Sequence, residues 1–563
     1  MAFPDSQLLN RTVPVQSSND LSVALRIDSY ESSTPPRNPL GLRTAKQICV
    51  SISAANLLLL RIWNDLFQYN SPKLYVAASP LSARDYSAAI VNQVILSVLI
   101  YAGITIAGRR KWGLNLPVGA LGLLAGCAVI LNGVRGMYSH AILSRKVTFI
   151  TVFTDTHPRY VLIAGVGCAV GALFAFHRRL SAAAAPILLL LFPWTLVNTI
   201  HATWLAFRTP APMQMPLAAA LARIPVTRPR PRVVWIIFDE LDQRLAFDCR
   251  PSRLRLNNFD RFRNEALYGA RAFPPARDTR LSVPSLVTGR LAEDGRSSGP
   301  DKFIVRWAGT SAPSDWAAGP TIFRDARELG LNASIAGWYF PYCRLFSETL
   351  TACVSCDEPQ QRNSFGNSIF TIVPNQLRSL VESASYSPFS QSLTQQKKAA
   401  DLAHLTEIGA EFAADPQQGL VFLHFPVPHM PYPFHLSPSR FGSKNYWTGG
   451  YFESLELADG ILARIRSKME TSAVWSSTTV VISSDHFFRN AAAIDGKTDY
   501  RVPFMVKVSG DTKPLPYPHE LNTLVTRELI NAVLHGRITS NRVAAEWLAE
   551  HEAEHILGDY TSF

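Results

Sequence analysis

Residues able to do chemistry gather in this sequence at the ends of apolar runs. Arg232-Val233-Val234-Trp235-Ile236-Ile237-Phe238 passes straight into Asp239-Glu240. Val421-Phe422-Leu423 leads into His424-Phe425-Pro426-Val427-Pro428-His429, and Thr479-Val480-Val481-Ile482-Ser483 into Ser484-Asp485-His486. Carboxylate oxygen mixed with imidazole nitrogen suits Zn²⁺ or Mn²⁺. A fourth stretch carries a hydroxyl instead: Asp278-Thr279-Arg280-Leu281-Ser282-Val283-Pro284, closing in Thr288-Gly289-Arg290. It reads as a loop feeding a short helix that Gly289 stops. A hydroxyl at such a start faces unpaired N–H groups and the positive end of the helix dipole, which together favour an anion. The rival reading makes Thr279 only the helix N-cap.

These residues need a scaffold that brings four distant stretches to one place. A continuous β-branched and aromatic run such as 232–238 is the pattern of a central strand buried on both faces. Similar strands are expected at 333–340, 420–425, 478–483 and 502–508, with helical patterns at 322–329 and 455–466. That alternation predicts an α/β sandwich with a mostly parallel central sheet. Open sheets of this kind place their sites at the carboxyl ends of strands, where the acidic residues and histidines stand.

The first 205 residues have a different character. Residues 1–44 are polar and Pro/Ser-rich, as a disordered cytoplasmic tail would be. Five apolar blocks follow within 45–205, at about 46–68, 86–108, 114–135, 160–177 and 182–205. Each approaches the ~20 residues needed to cross a bilayer. The first is weakened by Arg61, Asn64 and Asp65, of which Arg61 and Asp65 can pair at (i, i+4). Arg109-Arg110-Lys111 and His177-Arg178-Arg179 lie in two short loops, which the positive-inside tendency puts in the cytoplasm. The expected protein is therefore a multi-pass inner-membrane protein, its N-terminus cytoplasmic and its 232–563 domain periplasmic or extracellular. Residues 206–231 form a Pro-rich linker, with Met213 to Ile224 as a possible interfacial helix. The net charge of +12 and pI near 9.4 fit attraction to anionic lipid better than nucleic acid in such a chain. In an oxidising compartment, Cys343 is placed to bridge Cys353 or Cys356; a zinc site made of cysteines lacks a nearby His. His551 and His555 have helical metal spacing but sit in a polar C-terminal helix, as a solvated face would.

The order of acidic strand end, hydroxyl loop, His-bearing strand end and Ser484-Asp485-His486 resembles the alkaline phosphatase/sulfatase superfamily. In sulfatases the nucleophile loop reads Cys-x-Pro-Ser-Arg before a Thr-Gly-Arg, and Thr279 stands at that cysteine's distance from Thr288-Gly289-Arg290. Thr279-Arg280-Leu281-Ser282-Val283-Pro284 is more similar to the Thr-x-x-Ser-x-Pro of the membrane-anchored branch that transfers phosphoethanolamine or phosphoglycerol from phospholipids. That branch also has five spans before an outward catalytic domain. The resemblance implies Asp239 or Glu240, Thr279, Asp485 and His486 as ligands of a divalent metal, Zn²⁺ first, with Mn²⁺ or Ca²⁺ as alternatives. It implies Thr279 as nucleophile, His424 and His429 as leaving-group acids or lining of the substrate phosphate or a second metal, and Arg280, Ser282 and Lys497 as substrate contacts. Phosphoethanolamine transferases usually carry Glu where Asp239 stands, and Arg280 is bulkier and more cationic than their pattern. The implied reaction moves a phospholipid head-group phosphoryl unit through a phospho-threonine to a glycan, a lipid-linked saccharide or another extracytoplasmic acceptor. A phosphodiesterase, phosphatase or sulfatase-like hydrolase is the alternative, though Thr279 is not a formylglycine precursor. An inactive structural membrane protein is the reading of another class.

Overall fold

In a computed structural model, the described residues are 39–68, 82–109, 121–131, 183–208, 221–226, 230–298, 301–357, 368–382, 393–430 and 446–555, with isolated positions between. The chain divides at Lys46; of the first unit only the opening turns of one helix are described, and the second unit runs from Gln47 to Phe563.

The N-terminal part is helical. Helix α1 (Pro39–Leu58) meets α2 (Leu60–Gln68) at a 60° bend. The bend falls at Leu59, within the leucine run, and Arg61 pairs with Asp65 at 3.8 Å. Helix α3 (Ala83–Arg109) is long and apolar enough to cross a membrane, and Ala183–Leu190 leads through a 45° bend into α4 (Phe192–Arg208). Counting each bent pair as one span gives up to three among the described residues, against the five expected. The third expected span is described only as an apolar helix over Leu121–Leu131, and the fourth, 160–177, lies outside the described residues except at isolated positions. Of the expected interfacial helix, 221–224 runs without helix along the next domain, Ile224 N donating to Asn332 Oδ1 at 2.9 Å; its earlier part lies outside the described residues.

The C-terminal part is built on a nine-stranded sheet. Its strands are β1 (Val233–Phe238), β2 (Leu267–Phe273), β6 (Asn332–Tyr339), β7 (Ala352–Asp357), β8 (Gln418–Phe425), β9 (Thr479–Ser484), β10 (Val502–Lys507), β11 (Leu515–Tyr517) and β12 (Leu521–Asn522). They lie in the order β11-β2-β10-β9-β1-β8-β6-β7, with β12 on β2. Strands β9, β1, β8, β6 and β7 are mutually parallel, while β10 is antiparallel to both β9 and β2. The β9–β10 connection carries only the short helix Ala492–Asp495 and returns antiparallel. A second sheet is antiparallel: β3 (Ala292–Ser297), β4 (Phe303–Trp307) and β5 (Ser314–Asp315).

Strand β1 is buried along its whole length because it packs two cores. Val233, Trp235 and Ile237 enter one, and Val234, Ile236 and Phe238 the other. That is why its run is continuous rather than alternating. Helices α5 (Asn257–Arg263), α6 (Thr279–Thr288), α7 (Ile322–Glu328), α9 (Leu393–Ala414), α10 (Tyr446–Thr471), α11 (Thr526–Leu534) and α12 (Asn541–His555) pack around the sheet, while α8 (Ile369–Glu382) packs on the N-terminal helices. Asp459 of α10 caps α5, its Oδ1 accepting from Asn258 N at 2.9 Å and Phe259 N at 2.8 Å. Cys343 is bonded to Cys353, with Cα atoms 5.5 Å apart, so Cys353 rather than Cys356 is its partner.

Candidate active site

Sheet register assembles the site. Phe238 at the end of β1 stands beside Phe425 of β8 and Ser484 of β9, so the residues that follow emerge together at one edge. Asp239 and Asp485 leave adjacent parallel strands, and His424 projects from the third. Ser484 locks the crossover: its hydroxyl donates toward Phe238 O (2.7 Å) and His486 O (2.8 Å) and accepts from Leu241 N (2.9 Å). The turn after Asp239 needs a left-handed residue, Glu240 with φ 65°. Tyr451 supports it, donating to Glu240 O at 2.8 Å and accepting from Asp242 N at 3.1 Å.

Helix α6 brings the hydroxyl. Its N-cap is Asp278, whose Oδ1 accepts from Leu281 N at 3.0 Å, and Gly289 ends it with φ 65°. Thr279 is therefore not the cap, contrary to the rival sequence reading. The neighbouring carboxylate takes that role and leaves the threonine hydroxyl to point into the site. Thr279 Oγ1 lies 3.4 Å from both Asp239 Oδ2 and His486 Nε2. Ser282, one turn on, donates to Asp485 O at 2.5 Å and so ties α6 to the β9 end.

Asp239, Asp485 and His486 are fully buried, with one ligand atom from each lying within 4.8 Å of the others. His486 Nε2 is 3.5 Å from Asp239 Oδ1 and 3.6 Å from Asp485 Oδ2. Its Nδ1 lies 3.0 Å from Phe487 O, and a proton held there turns the Nε2 lone pair toward the carboxylates. Asp485 Oδ1 accepts backbone N–H groups from His486 (2.8 Å) and Glu240 (3.3 Å). Asp239 Oδ1 and Asp485 Oδ2 have no hydrogen-bond partner. Burial first, then the facing Asp485 and Glu240, push the Asp239 carboxyl well above the carboxylate range. Buried, unpartnered acceptors converging on a nitrogen lone pair fit a divalent cation, because Arg489 and Lys398 offset their charge only in part.

Glu240 takes another part. Its Oε1 accepts from Arg489 Nε at 2.9 Å, and Arg489 Nη2 donates to His429 Nε2 at 3.1 Å. Burial opposes the Arg489 charge, but Glu240, Asp239 and Asp278 outweigh it and hold the guanidinium protonated. The His429 amide is itself fixed by Asp239 O at 3.1 Å, and Lys398 of α9 donates to the His429 carbonyl. His424 Nδ1 bonds the Tyr342 hydroxyl at 2.8 Å. His424 Nε2 and His429 Nδ1 are buried and unpartnered. Burial pushes His424 down to about 4, and burial with Lys398 and Arg489 pushes His429 well below the imidazole range. Both rings thus stand neutral, as hydrogen-bonding or ligating groups.

Two expected substrate contacts lie elsewhere. Arg280 donates to Gly295 O at 2.7 Å, bracing α6 on β3. Lys497 is exposed beside Asp495. His551 stacks on Trp547 at 4.0 Å, lining a surface pocket that also includes Asp325 and Glu328 and none of the site residues; the side chain of His555 lies outside the described residues. Tyr342, Lys398 and Arg489 had not been singled out from the sequence. Arg489, four residues after Asp485, was findable as a cation following the Ser-Asp-His run; Tyr342 and Lys398 carry no local signal.

Comparison with known proteins adds a family. The sulfatase family model matches residues 231–549, more than half of the chain's 563 residues. No curated protein matches. Solved structures similar to the chain include the phosphonate monoester hydrolase of Agrobacterium radiobacter, at 14% identity over 54% of this chain and 74% of that one, TM-score 0.37. The lipoteichoic acid synthase LtaP from Listeria monocytogenes shares 13% identity over 57% and 74%, TM-score 0.34. The PsFucS1 sulfatase from Pseudoalteromonas sp. shares 11% over 54% and 68%, TM-score 0.37.

Proposed function

The chain belongs to the sulfatase family and is thus a hydrolase or transferase of the alkaline phosphatase superfamily, and from that premise we propose that it transfers a phospholipid head-group phosphoryl unit, of phosphoethanolamine or phosphoglycerol type, through Thr279. One observation carries the reading: the Thr279 hydroxyl opens α6 and stands 3.4 Å from both Asp239 and His486. Asp239, Asp485 and His486 would hold a divalent cation, Zn²⁺ first by donor type. Bound there, it supplies Lewis acidity to the phosphoryl oxygen and lowers the pKa of a nearby hydroxyl.

The chain's own residues account for the rest. Asp278 caps α6 and so leaves the Thr279 hydroxyl to the substrate. The unpaired N–H groups and dipole of the α6 start face a phosphate on Thr279. Arg489, cationic and bonded to Glu240 and His429, adds positive charge beside the site. His424 and His429, neutral, offer unpartnered ring nitrogens to phosphoryl oxygens. The Thr279 oxygen forms a bond to phosphorus as the bond to the diacylglycerol oxygen breaks, and the hydroxyl proton is matched by the one that diacylglycerol takes up. An acceptor hydroxyl, of a glycan or lipid-linked saccharide, then displaces threonine. In this reading the positively charged loops at 109–111 and 177–179 face the cytoplasm with the N-terminus, and the catalytic domain faces outward.

The test uses purified full-length protein in phosphatidylethanolamine and phosphatidylglycerol vesicles with Zn²⁺ or Mn²⁺, following diacylglycerol by mass spectrometry and the intact mass of the protein. Release with a head-group phosphate on Thr279, lost in Thr279→Ala with fold retained, is the expected result. Turnover of a soluble phosphodiester without diacylglycerol release moves the protein to the hydrolase reading. Full activity of Thr279→Ala overturns the nucleophile.

A further inference from the structure

Helix α8 lies in the sequence between two strands of the catalytic sheet, β7 and β8, yet it packs with the N-terminal helices. Ile372 and Leu380 share a core with Leu59, Trp63 and Tyr86. Asn92 Nδ2 donates to Val373 O at 3.1 Å and to Gln376 Oε1 at 3.0 Å, and Gln376 Nε2 donates to Asp85 O at 3.0 Å. With Val373 opposite Asn92 and Gln376 reaching back to Asp85, α8 runs antiparallel to α3. Its beginning therefore points toward the middle of α3, whose outer surface there is apolar: Val94 and Val98 are 57% and 60% exposed.

The outward face of α8 is graded in the same direction. Phe370, Pro374 and Arg378 are exposed and fall one turn apart on one side of the helix. Phe370, at the end nearer the middle of α3, is 87% exposed. Arg378, two turns on, is nearer the start of α3. An aromatic ring followed along the axis by a cation matches the passage from acyl chains to head-group phosphates.

We infer that α8 is a membrane-seated anchor of the catalytic domain, lying against α3 with Phe370 among the acyl chains and Arg378 at the phosphates of one leaflet. The inference rests on α3 spanning the bilayer. Its buried side, held by the Asn92–Gln376 pair, joins the domain to the span. Next in the chain order is α9, whose Lys398 bonds the His429 carbonyl in the site. The anchor thus limits how far the site can stand from the lipid surface.

The test labels single cysteines with an environment-sensitive fluorophore. It uses the full-length chain, with the five cysteines outside the disulfide replaced by alanine. Labels go on Phe370→Cys, Pro374→Cys, Val98→Cys as the span reference and Arg542→Cys, 85% exposed, as the water reference. The protein is reconstituted in phosphatidylethanolamine/phosphatidylglycerol vesicles with or without doxyl-labelled lipid. The expected result is quenching and a blue shift at Phe370 comparable to Val98, weaker at Pro374 and absent at Arg542. Quenching at Val98 with Phe370 and Pro374 behaving like Arg542 overturns the anchor while leaving the span intact. Absence of quenching at Val98 refutes the span itself, and the anchor with it.

Discussion

Asp239→Asn separates a cation site from an ordinary buried polar cluster. In the metal-free protein, two carboxylates face each other across His486 with their ligand atoms within 4.8 Å. At an effective dielectric of 20, two unit charges at that distance repel by about 3 kcal/mol. Burial keeps part of the Asp239 charge protonated, so this figure is a ceiling. Replacing the carboxylate by an amide removes the repulsion, and the melting temperature of the chelator-treated variant should rise, by no more than roughly 5 °C for a domain of this size. The wild type should recover a comparable amount on adding Zn²⁺, since a ligand at a hundred times its Kd contributes about 2.7 kcal/mol. The variant should gain little, having lost one ligand in three. Differential scanning calorimetry of full-length protein with chelator, Zn²⁺ and Mn²⁺ gives all these values. An Asp239→Asn variant that melts lower without metal yet keeps the full metal increment would refute the reasoning, because the carboxylate would then be a structural hydrogen-bond acceptor and no ligand.

Gly337 lies in β6 beside His424, and a Cβ there would fall 2.6 Å from the Tyr342 ring. Gly337→Ala should displace the tyrosine that bonds His424, costing about 1–3 kcal/mol of stability and a larger share of turnover; unchanged turnover would remove Tyr342 from the working site. Lys507 is fully buried, donating to Trp475 O and Thr478 O, and burial lowers its pKa to about 8. Its folded pKa lies below its unfolded one, so its charge destabilises the fold at neutral pH and stability rises as pH climbs from about 8 to 10.5. That rise, about 3 kcal/mol from the shift, should be missing from denaturant titrations of Lys507→Met; equal slopes in both proteins would contradict it.

Much of the catalytic domain was legible locally. The runs at 232–238, 420–425 and 479–483 could only be strands packed on both faces, and each carried its chemistry at its carboxyl end. Parallel register then had to bring Asp239, His424 and Asp485 to one edge, so the cation group followed from pattern and topology together. Strands β5, β11 and β12 left no such mark, since two or three residues show no periodicity, and β3 is the polar run Ala-Glu-Asp-Gly-Arg-Ser. The apolar blocks were read by composition. Composition does not say where a helix bends, and the first block breaks at Leu59, within its leucine run, into α1 and α2.

The sequence by itself determined the ligand types, the hydroxyl at the start of α6 and the order of the elements that carry them, because these depend on residues adjacent along the chain. Only tertiary structure decided which acidic residue turns inward. Asp239 and Glu240 are neighbours with the same charge, and the left-handed turn at Glu240, held by Tyr451 and Arg489, aims one at His486 and the other away from it. It likewise decided that Asp278 caps α6, that Arg280 braces β3, that Cys343 joins Cys353, and that both site imidazoles stand neutral. Each depends on groups brought close from distant parts of the chain, where burial and facing charge outweigh any preference a residue has by type.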